Sequence, residues 1–358
     1  MQQLRTHALS HALANPTTLA AAIDRLGFIQ ADPIRSPATA QDLILRHRVE
    51  GYKAGDLTRD YASMDVEEGF LYAYGFLRRD IWLHRQHSHD PAALPEMERK
   101  VLEIVRGSGP MHPKDLEAQL GRERATNGWG SFSKASTLAL QHLQWHGLLR
   151  IAGRENGIRT YEAVPPPSSD RMAPVDRFKQ LVLAEANVMA PIPQKGLQSL
   201  VAGLRSISFP EVPDHRKVIK ELLNSGELQQ RTVDGISYVW PASETVHEEL
   251  PRHVRFLAPF DPLVWDRGRF EHFWNWTYRF EAYTPQAKRI RGYYAMPLLW
   301  GDDVIGWANA IVKGGKLDVE VGFVDKQPAD HKFRSELDAE ITRLETFLRV
   351  GENSDKTG

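Results

Sequence analysis

Between Thr18 and Gly27 the apolar residues Leu19, Ala22, Ile23 and Leu26 recur at i, i+3, i+4 and i+7. That period predicts an amphipathic helix, opened by a threonine cap and closed by glycine. Residues 6–14 ahead of it have helical composition and stop at Asn15-Pro16-Thr17-Thr18. After Gly27, the run Phe28-Ile29-Gln30-Ala31-Asp32-Pro33-Ile34 alternates weakly, and Pro33 ends it. A proline-containing loop to Pro37 and a helix over residues 41–49 continue this first segment, residues 1–95.

The next segment, residues 96–165, is cleaner. Met97, Val101, Ile104 and Val105 form one helical stripe, broken at Gly107-Ser108-Gly109-Pro110. Pro113 suits the first position of a short helix with Leu116 and Leu120 inward. Residues 131–146 predict a third helix, closed by Gly147, and two short strands then flank an Asn156-Gly157 turn. Three helices and a hairpin are the winged helix-turn-helix plan. Residues 171–241 repeat it. Leu143-Gln-Trp-His-Gly147 matches Leu222-Leu-Asn-Ser-Gly226, and a turn glycine follows 10 or 9 residues later, at Gly157 and Gly235. Pro165-Pro166-Pro167-Ser168-Ser169 reads as a stiff linker between the two units. From residue 250 to 350 the pattern changes. Residues 278–283, 290–300, 304–312 and 317–324 predict strands of an antiparallel β domain or small barrel, and residues 330–350 a closing helix. The fold class is thus α+β: tandem winged helices followed by a C-terminal antiparallel β domain, with a tail from Gly351 expected to be disordered.

At 358 residues, with 42% hydrophobic and 25% charged side chains, the chain can build more than one core and is not intrinsically disordered. It has no cysteine, which excludes disulfides, thiolate nucleophiles and cysteine-ligated zinc or iron–sulfur centres. There is no apolar run long enough for a membrane span and no signal-peptide core at the N-terminus, so the expectation is a cytoplasmic protein with no membrane partner. The formal net charge of −1 does not suit a small DNA-coating protein, although a larger one can still carry local basic faces. No Walker motif, Rossmann glycine fingerprint or nucleophile elbow is present, and no cofactor is expected.

Winged helices contact DNA with one helix and the hairpin, but they also serve as protein-interaction modules. The third helix of the second unit carries Ser131, Ser133, Lys134, Ser136 and Gln141, and its hairpin carries Arg150, Arg154 and Arg159. These residue types suit phosphate contacts. Arg46-His47-Arg48, Arg78-Arg79 and Lys288-Arg289-Ile290-Arg291 are the other basic clusters, solvated faces unless a partner lies against them. His84-Arg-Gln-His87-Ser-His89 has a spacing that keeps to no single helical face, so it reads as a solvated linker and no metal site is expected. Trp274, Trp276 and Trp300 are assigned to the β-domain core.

Two stretches carry a resemblance. The first is Leu26-Gly-Phe-Ile-Gln30-Ala-Asp32-Pro-Ile34. The second begins at Leu257-Ala-Pro-Phe260-Asp261-Pro-Leu-Val-Trp265-Asp266-Arg267. It continues through Tyr278-Arg-Phe-Glu281-Ala-Tyr283-Thr-Pro285-Gln-Ala-Lys288-Arg289 and Gly292-Tyr293-Tyr294-Ala-Met-Pro297. In these runs the chain resembles the YcaQ-like (AlkX/AlkZ-type) bacterial DNA glycosylases, most densely over residues 26–48 and 255–300. The resemblance implies tandem winged helices and a β domain around damaged double-stranded DNA, excision of N7-alkylated purines, and unhooking of interstrand crosslinks. It implies Gln30 and Asp32 as the catalytic pair. With the basic residues above, it gives Arg35, Arg46, Arg48, Lys134, Arg154, Arg267, Lys288 and Arg289 as candidate DNA contacts, in a monomer. The chain departs from the family at Arg35-Ser-Pro37-Ala-Thr39-Ala-Gln41, where members often carry asparagine, arginine and histidine. It departs again at Glu68-Gly-Phe70-Leu-Tyr72-Ala-Tyr74-Gly-Phe76, where many carry tryptophan, histidine and proline. Substrate range is the property these departures touch.

The pair makes chemical sense for that reaction. An N7-alkylated guanine is cationic and leaves without protonation. The enzyme must stabilise the cation developing on the deoxyribose and deliver water to C1′. A carboxylate can do both, and an amide can hold the water by donating and accepting at once. Two residues apart on an extended chain, both side chains share one face. A base tied to the opposite strand cannot rotate freely into a closed pocket, so the pair is expected on an open, basic cleft. No lysine is placed near it, which predicts a monofunctional enzyme with no Schiff base. Without the resemblance, Asp32 next to Pro33 reads more readily as a helix or turn cap, and the alternative for the whole chain is a non-catalytic winged-helix DNA-binding regulator.

Overall fold

The structure is a computed structural model and describes residues 1–13, 17–86, 93–121, 124–126, 132–165, 172–243 and 251–350. Part of the Asn15-Pro16 stop, Ser131, most of the proline linker, His87, His89 and the tail from Gly351 lie outside these residues.

The first segment contains α1 (Gln2–Leu13), α2 (Leu19–Leu26), β1 (Phe28–Gln30), α3 (Ala40–Leu45), α4 (Asp56–Asp60), β2 (Val66–Phe70), β3 (Tyr74–Arg78) and α5 (Arg79–Arg85). α2 forms as its periodicity predicts. The Thr18 hydroxyl accepts the Ala21 N–H at 3.2 Å, and Gly27 turns left-handed at φ 72°. α3 stops at Leu45, four residues before the expected end. Its chain is diverted because Val49 bridges Thr17 in parallel, with Thr17 N–H donating to Arg48 O and Glu50 N–H to Thr17 O.

The second segment contains α6 (Glu96–Ser108), α7 (Pro113–Leu120), β4 (Arg124–Thr126), β5 (Phe132–Lys134), α8 (Ala135–Trp145), β6 (Leu149–Glu155) and β7 (Ile158–Ala163). The third helix starts at Ala135 rather than 131 because Phe132–Lys134 pairs with β4. The hairpin turn sits at Asn156 and Gly157, both at positive φ. The third segment contains α9 (Pro174–Val188), β8 (Ile192–Pro193), α10 (Gln194–Ser208), α11 (His215–Asn224), β9 (Leu228–Val233) and β10 (Ile236–Pro241), with an Asp234-Gly235 turn of the same kind.

One topology therefore occurs three times. A helix leads into a short strand or bridge, two helices follow, and a hairpin closes with its second strand against the first. The sheet orders are β1-β3-β2 and β8-β10-β9, and in the middle copy Met111 alone bridges Tyr161 on β7. Tyr161 and Tyr238, matched in sequence, occupy matching places: each pairs with a residue of the bridge or short strand between its copy's first two helices.

The C-terminal segment holds β11 (Val254–Phe256), α12 (Pro262–Trp265), α13 (Arg267–Trp274), β12 (Met296–Trp300), β13 (Asp303–Lys313), β14 (Lys316–Phe323) and α14 (His331–Leu348). Its strands form an open antiparallel sheet in the order β11-β12-β13-β14, not a barrel. The strands expected at 278–283 and 290–295 are absent, and β12 begins only at Met296. The aromatic residues that suggested strands fill space instead: Phe280 packs edge-on to Tyr294 and to Phe260, and the Tyr278 hydroxyl donates to Ala295 O. α1 shares a core with α12, α13, Trp274 and Trp276, while Phe28 of β1 belongs to the core of the third copy. Ile29, the next residue, belongs to a different core, so β1 is fixed from both sides.

Candidate active site

Gln30 is the last residue of β1 and pairs with Gly75, and the ladder continues one step further, with Ala31 N–H donating to Tyr74 O at 2.9 Å. The extended segment expected around the pair is thus present through Ala31. Gly75 permits it: a Cβ there would stand 2.2 Å from Ile29 O. Asp32 then closes a turn, its Oδ1 accepting the Ile34 N–H at 2.9 Å. The turn-capping role and an exposed second oxygen coexist in one half-buried side chain. Burial raises the Asp32 carboxyl above its ordinary value, and the Ile34 N–H opposes that rise.

Gln30 Oε1 and the Tyr294 hydroxyl are both buried and have no hydrogen-bond partner. Tyr294 is close enough to Asp32 for the carboxylate, after burial itself, to push its phenol further upward. A carboxylate with one committed oxygen, an amide oxygen and a phenol hydroxyl therefore offer acceptors and a donor that nothing in the fold uses. Tyr294 lay inside the tyrosine-rich run of the sequence but had been given no role. The irregular path of residues 279–295, where strands were expected at 278–283 and from 290, brings it to Asp32.

The candidate DNA contacts divide sharply. Arg35 and Lys288 are exposed, Arg289 is half-exposed and its Nε donates to Thr284 O, and Lys134 is exposed while paired with Glu117. The remaining four have partners within the fold. Arg46 is buried and paired with Glu340 of α14. Arg48 is buried in a two-pronged pair with Asp261, at 2.8 and 2.9 Å. His47 between them is half-buried, its Nε2 2.9 Å from Phe256 O, so all three side chains of the cluster have partners within the fold. Burial, with Arg46 adding to it, holds the His47 ring well below its ordinary value. Arg267 donates to Val264 O and Pro259 O and lies over the Tyr278 ring. Arg154 pairs with Glu68.

The last pairing is general for the β6–β7 hairpin. Its arginines fold back onto two consecutive buried carboxylates of β2: Arg150 onto Glu67, and Arg154 and Arg159 onto Glu68. Desolvated carboxylates need such partners, and the hairpin supplies them. Arg78 and Arg79 are likewise paired, with Asp80 and with Asp65 and Glu67. Among the described residues no group of three or more His, Asp or Glu side chains could hold a metal ion, and no helix is long and apolar enough to cross a membrane.

The family model described as DNA glycosylase AlkZ-like matches residues 23–347 of the chain, a span that begins just ahead of β1 and ends in α14.

Proposed function

Because this chain belongs to the AlkZ-like DNA glycosylase family, we propose that it excises N7-alkylated purines from double-stranded DNA, with Asp32 as the carboxylate and Gln30 as its partner. The observation that carries this reading is at the end of β1: Asp32 with one oxygen free and near enough to the unpartnered Tyr294 hydroxyl to act on it electrostatically, two residues after Gln30, whose Oε1 is also unpartnered. In the reaction the bond from C1′ to the purine nitrogen breaks and its electron pair neutralises the cationic ring. Water held by Gln30 attacks C1′, and its proton passes to the free oxygen of Asp32. Before that transfer the same carboxylate stabilises the positive charge on the sugar. Burial, by raising the Asp32 carboxyl, makes it a better base than a solvated aspartate. The product is an abasic site, since no step calls for an amine nucleophile.

The three repeated units are read as winged helices that enclose the duplex, and the half-exposed position of Asp32 suits a lesion that stays in the duplex, crosslinks included. The test uses a duplex with one N7-methylguanine, incubated with wild type and with Asp32→Asn, followed by alkali. Strand breakage with wild type alone is the expected result. Equal breakage by both proteins removes Asp32 from the chemistry, and DNA binding without breakage by either removes the small N7 adduct as substrate.

A further inference from the structure

The loop between Tyr278 and Ala295 has little regular structure, yet it is tied down along its length. Its ends are clamped by the Tyr278 hydroxyl on Ala295 O at 2.7 Å. Inside, the buried Glu281 carboxylate gathers three successive N–H groups, from Ile290, Arg291 and Gly292, at 2.9, 2.8 and 3.2 Å. Asn309 Nδ2 donates to Arg291 O at 2.6 Å, and Gly292, at φ 122°, lies so close that a Cβ would meet the Asn309 amide at 2.4 Å. This fixed scaffold presents Tyr283 to solvent at 81% exposure and Ile290 at 79%. Folding has not buried two large apolar side chains, although their backbone is held in place; such a patch marks a surface that meets a partner.

Charge and position identify the partner. Arg279, Lys288, Arg289 and Arg291 stand in this loop, and its one carboxylate, Glu281, is buried and consumed by the three N–H groups. A cationic loop in a chain of net charge −1 suits a polyanion. Phe280 connects the exposed end to the candidate site, packing against Tyr283 on one side and Tyr294 on the other. We propose that Tyr283 and Ile290 are a wedge inserted between the bases of duplex DNA beside Asp32, with Lys288 and Arg289 on the flanking phosphates. An inserted aromatic or aliphatic side chain unstacks the step it enters and opens the groove. The sugar of the target nucleotide can then approach a carboxylate that sits on the protein rather than in a deep pocket. This proposal rests on the glycosylase reading for its purpose, but the insertion is measurable without catalysis.

The test uses a duplex with 2-aminopurine next to one N7-methylguanine, and the full chain as wild type, as Tyr283→Ser/Ile290→Ser, and as Lys288→Ala. Emission of 2-aminopurine rises when its stacking is lost. At saturating protein, wild type should raise the emission and the double variant should leave it near that of free DNA, with the thermal unfolding of the two proteins matching. The double variant should also bind more weakly, by roughly 5- to 150-fold if one base stacks on Tyr283. Lys288→Ala should keep the emission change and lower the salt slope of binding by about one. Saturating double variant with the wild-type emission overturns the wedge, as does wild type that binds without any rise. Base release is scored separately on the same duplex. Insertion without release sinks the substrate assignment and keeps the wedge, whereas release without insertion does the reverse.

Discussion

Arg48 offers the sharpest separation between a structural and a DNA-contacting role. Its guanidinium makes four bonds: Nη1 to Asp261 Oδ2 and to Ile44 O, Nη2 to Asp261 Oδ1, and Nε to Ala12 O, all between 2.6 and 2.9 Å. Asp261 Oδ1 also accepts the Leu263 N–H at 3.0 Å and so caps α12. The two side chains are 4% and 0% exposed. Together they join α1, α3 and α12, three elements far apart in sequence. Arg48→Met removes one charge and leaves the other buried without its partner, which costs about 3–5 kcal/mol. Asp261→Ala should cost as much, with roughly 1 kcal/mol more for the lost cap. Against a total stability of about 5–15 kcal/mol either change is severe. The assay is urea unfolding of both single variants and of the double variant. The double should lose clearly less than the sum, because the second change removes a charge that the first had stranded. Binding to an undamaged duplex across a salt series completes the experiment, and its slope should not change. If Arg48→Met unfolds within about 0.5 kcal/mol of wild type and its salt slope falls by about one, the inward reading of this arginine is wrong.

Further expectations concern protonation and the candidate site. The rate of base release should fall as pH drops through the Asp32 transition, since a base must be ionised. The midpoint should lie above 3.8, the ordinary aspartate value, because burial raises it; a midpoint at or below 3.8 in single-turnover rates contradicts this. Asp32→Asn should lower that rate by roughly 10²–10⁴-fold at pH 7. Tyr294→Phe removes a buried hydroxyl without a partner, so its unfolding should match or exceed wild type in stability while base release slows; an unchanged rate takes Tyr294 out of the site. Glu185 is fully buried, neither oxygen has a partner, and burial pushes its carboxyl up to about 8. The folded state therefore holds a proton that the unfolded chain releases near 4.5, and stability declines as pH rises from there to about 8. Glu185→Gln should abolish that decline, with a gain at pH 9 of at most about 5 kcal/mol and little gain at pH 4; equal gains at both pH values refute it.

Local features of this chain were legible in its sequence. The Thr18 cap, the Gly27 stop and the Asn156-Gly157 and Asp234-Gly235 turns each depend on a few adjacent residues. The repeat between the second and third segments was legible from glycine spacing. The first copy was not, because α3 and α4 are short and the chain between them is diverted by the Thr17–Val49 bridge. The partners of the arginines were illegible for a similar reason. Arg46 and Arg48 find their carboxylates at Glu340 and Asp261, more than 200 residues away, and no local pattern distinguishes such a residue from a solvated cation. For the candidate site, the extended backbone around Gln30 was legible. Tyr294 was not, because its place depends on a loop held by the Glu281 carboxylate rather than by a sheet.

The threefold topology has a consequence for how the chain avoids assembling wrongly. In each copy an outer strand lies against the last strand of a hairpin, and a strand from another copy, or another molecule, could compete for that position. The outer strands are too unlike one another for an easy exchange: Phe28–Gln30 in the first copy, the single bridge of Met111 in the second, and Ile192–Pro193 in the third. Pro193 has no N–H to donate, and a single bridge offers little to recruit. Short, dissimilar borders of this kind make poor templates for swapped or fibrous pairing. A protein built from three related parts can then fold each part against its own border, and the differences among the copies act as addresses.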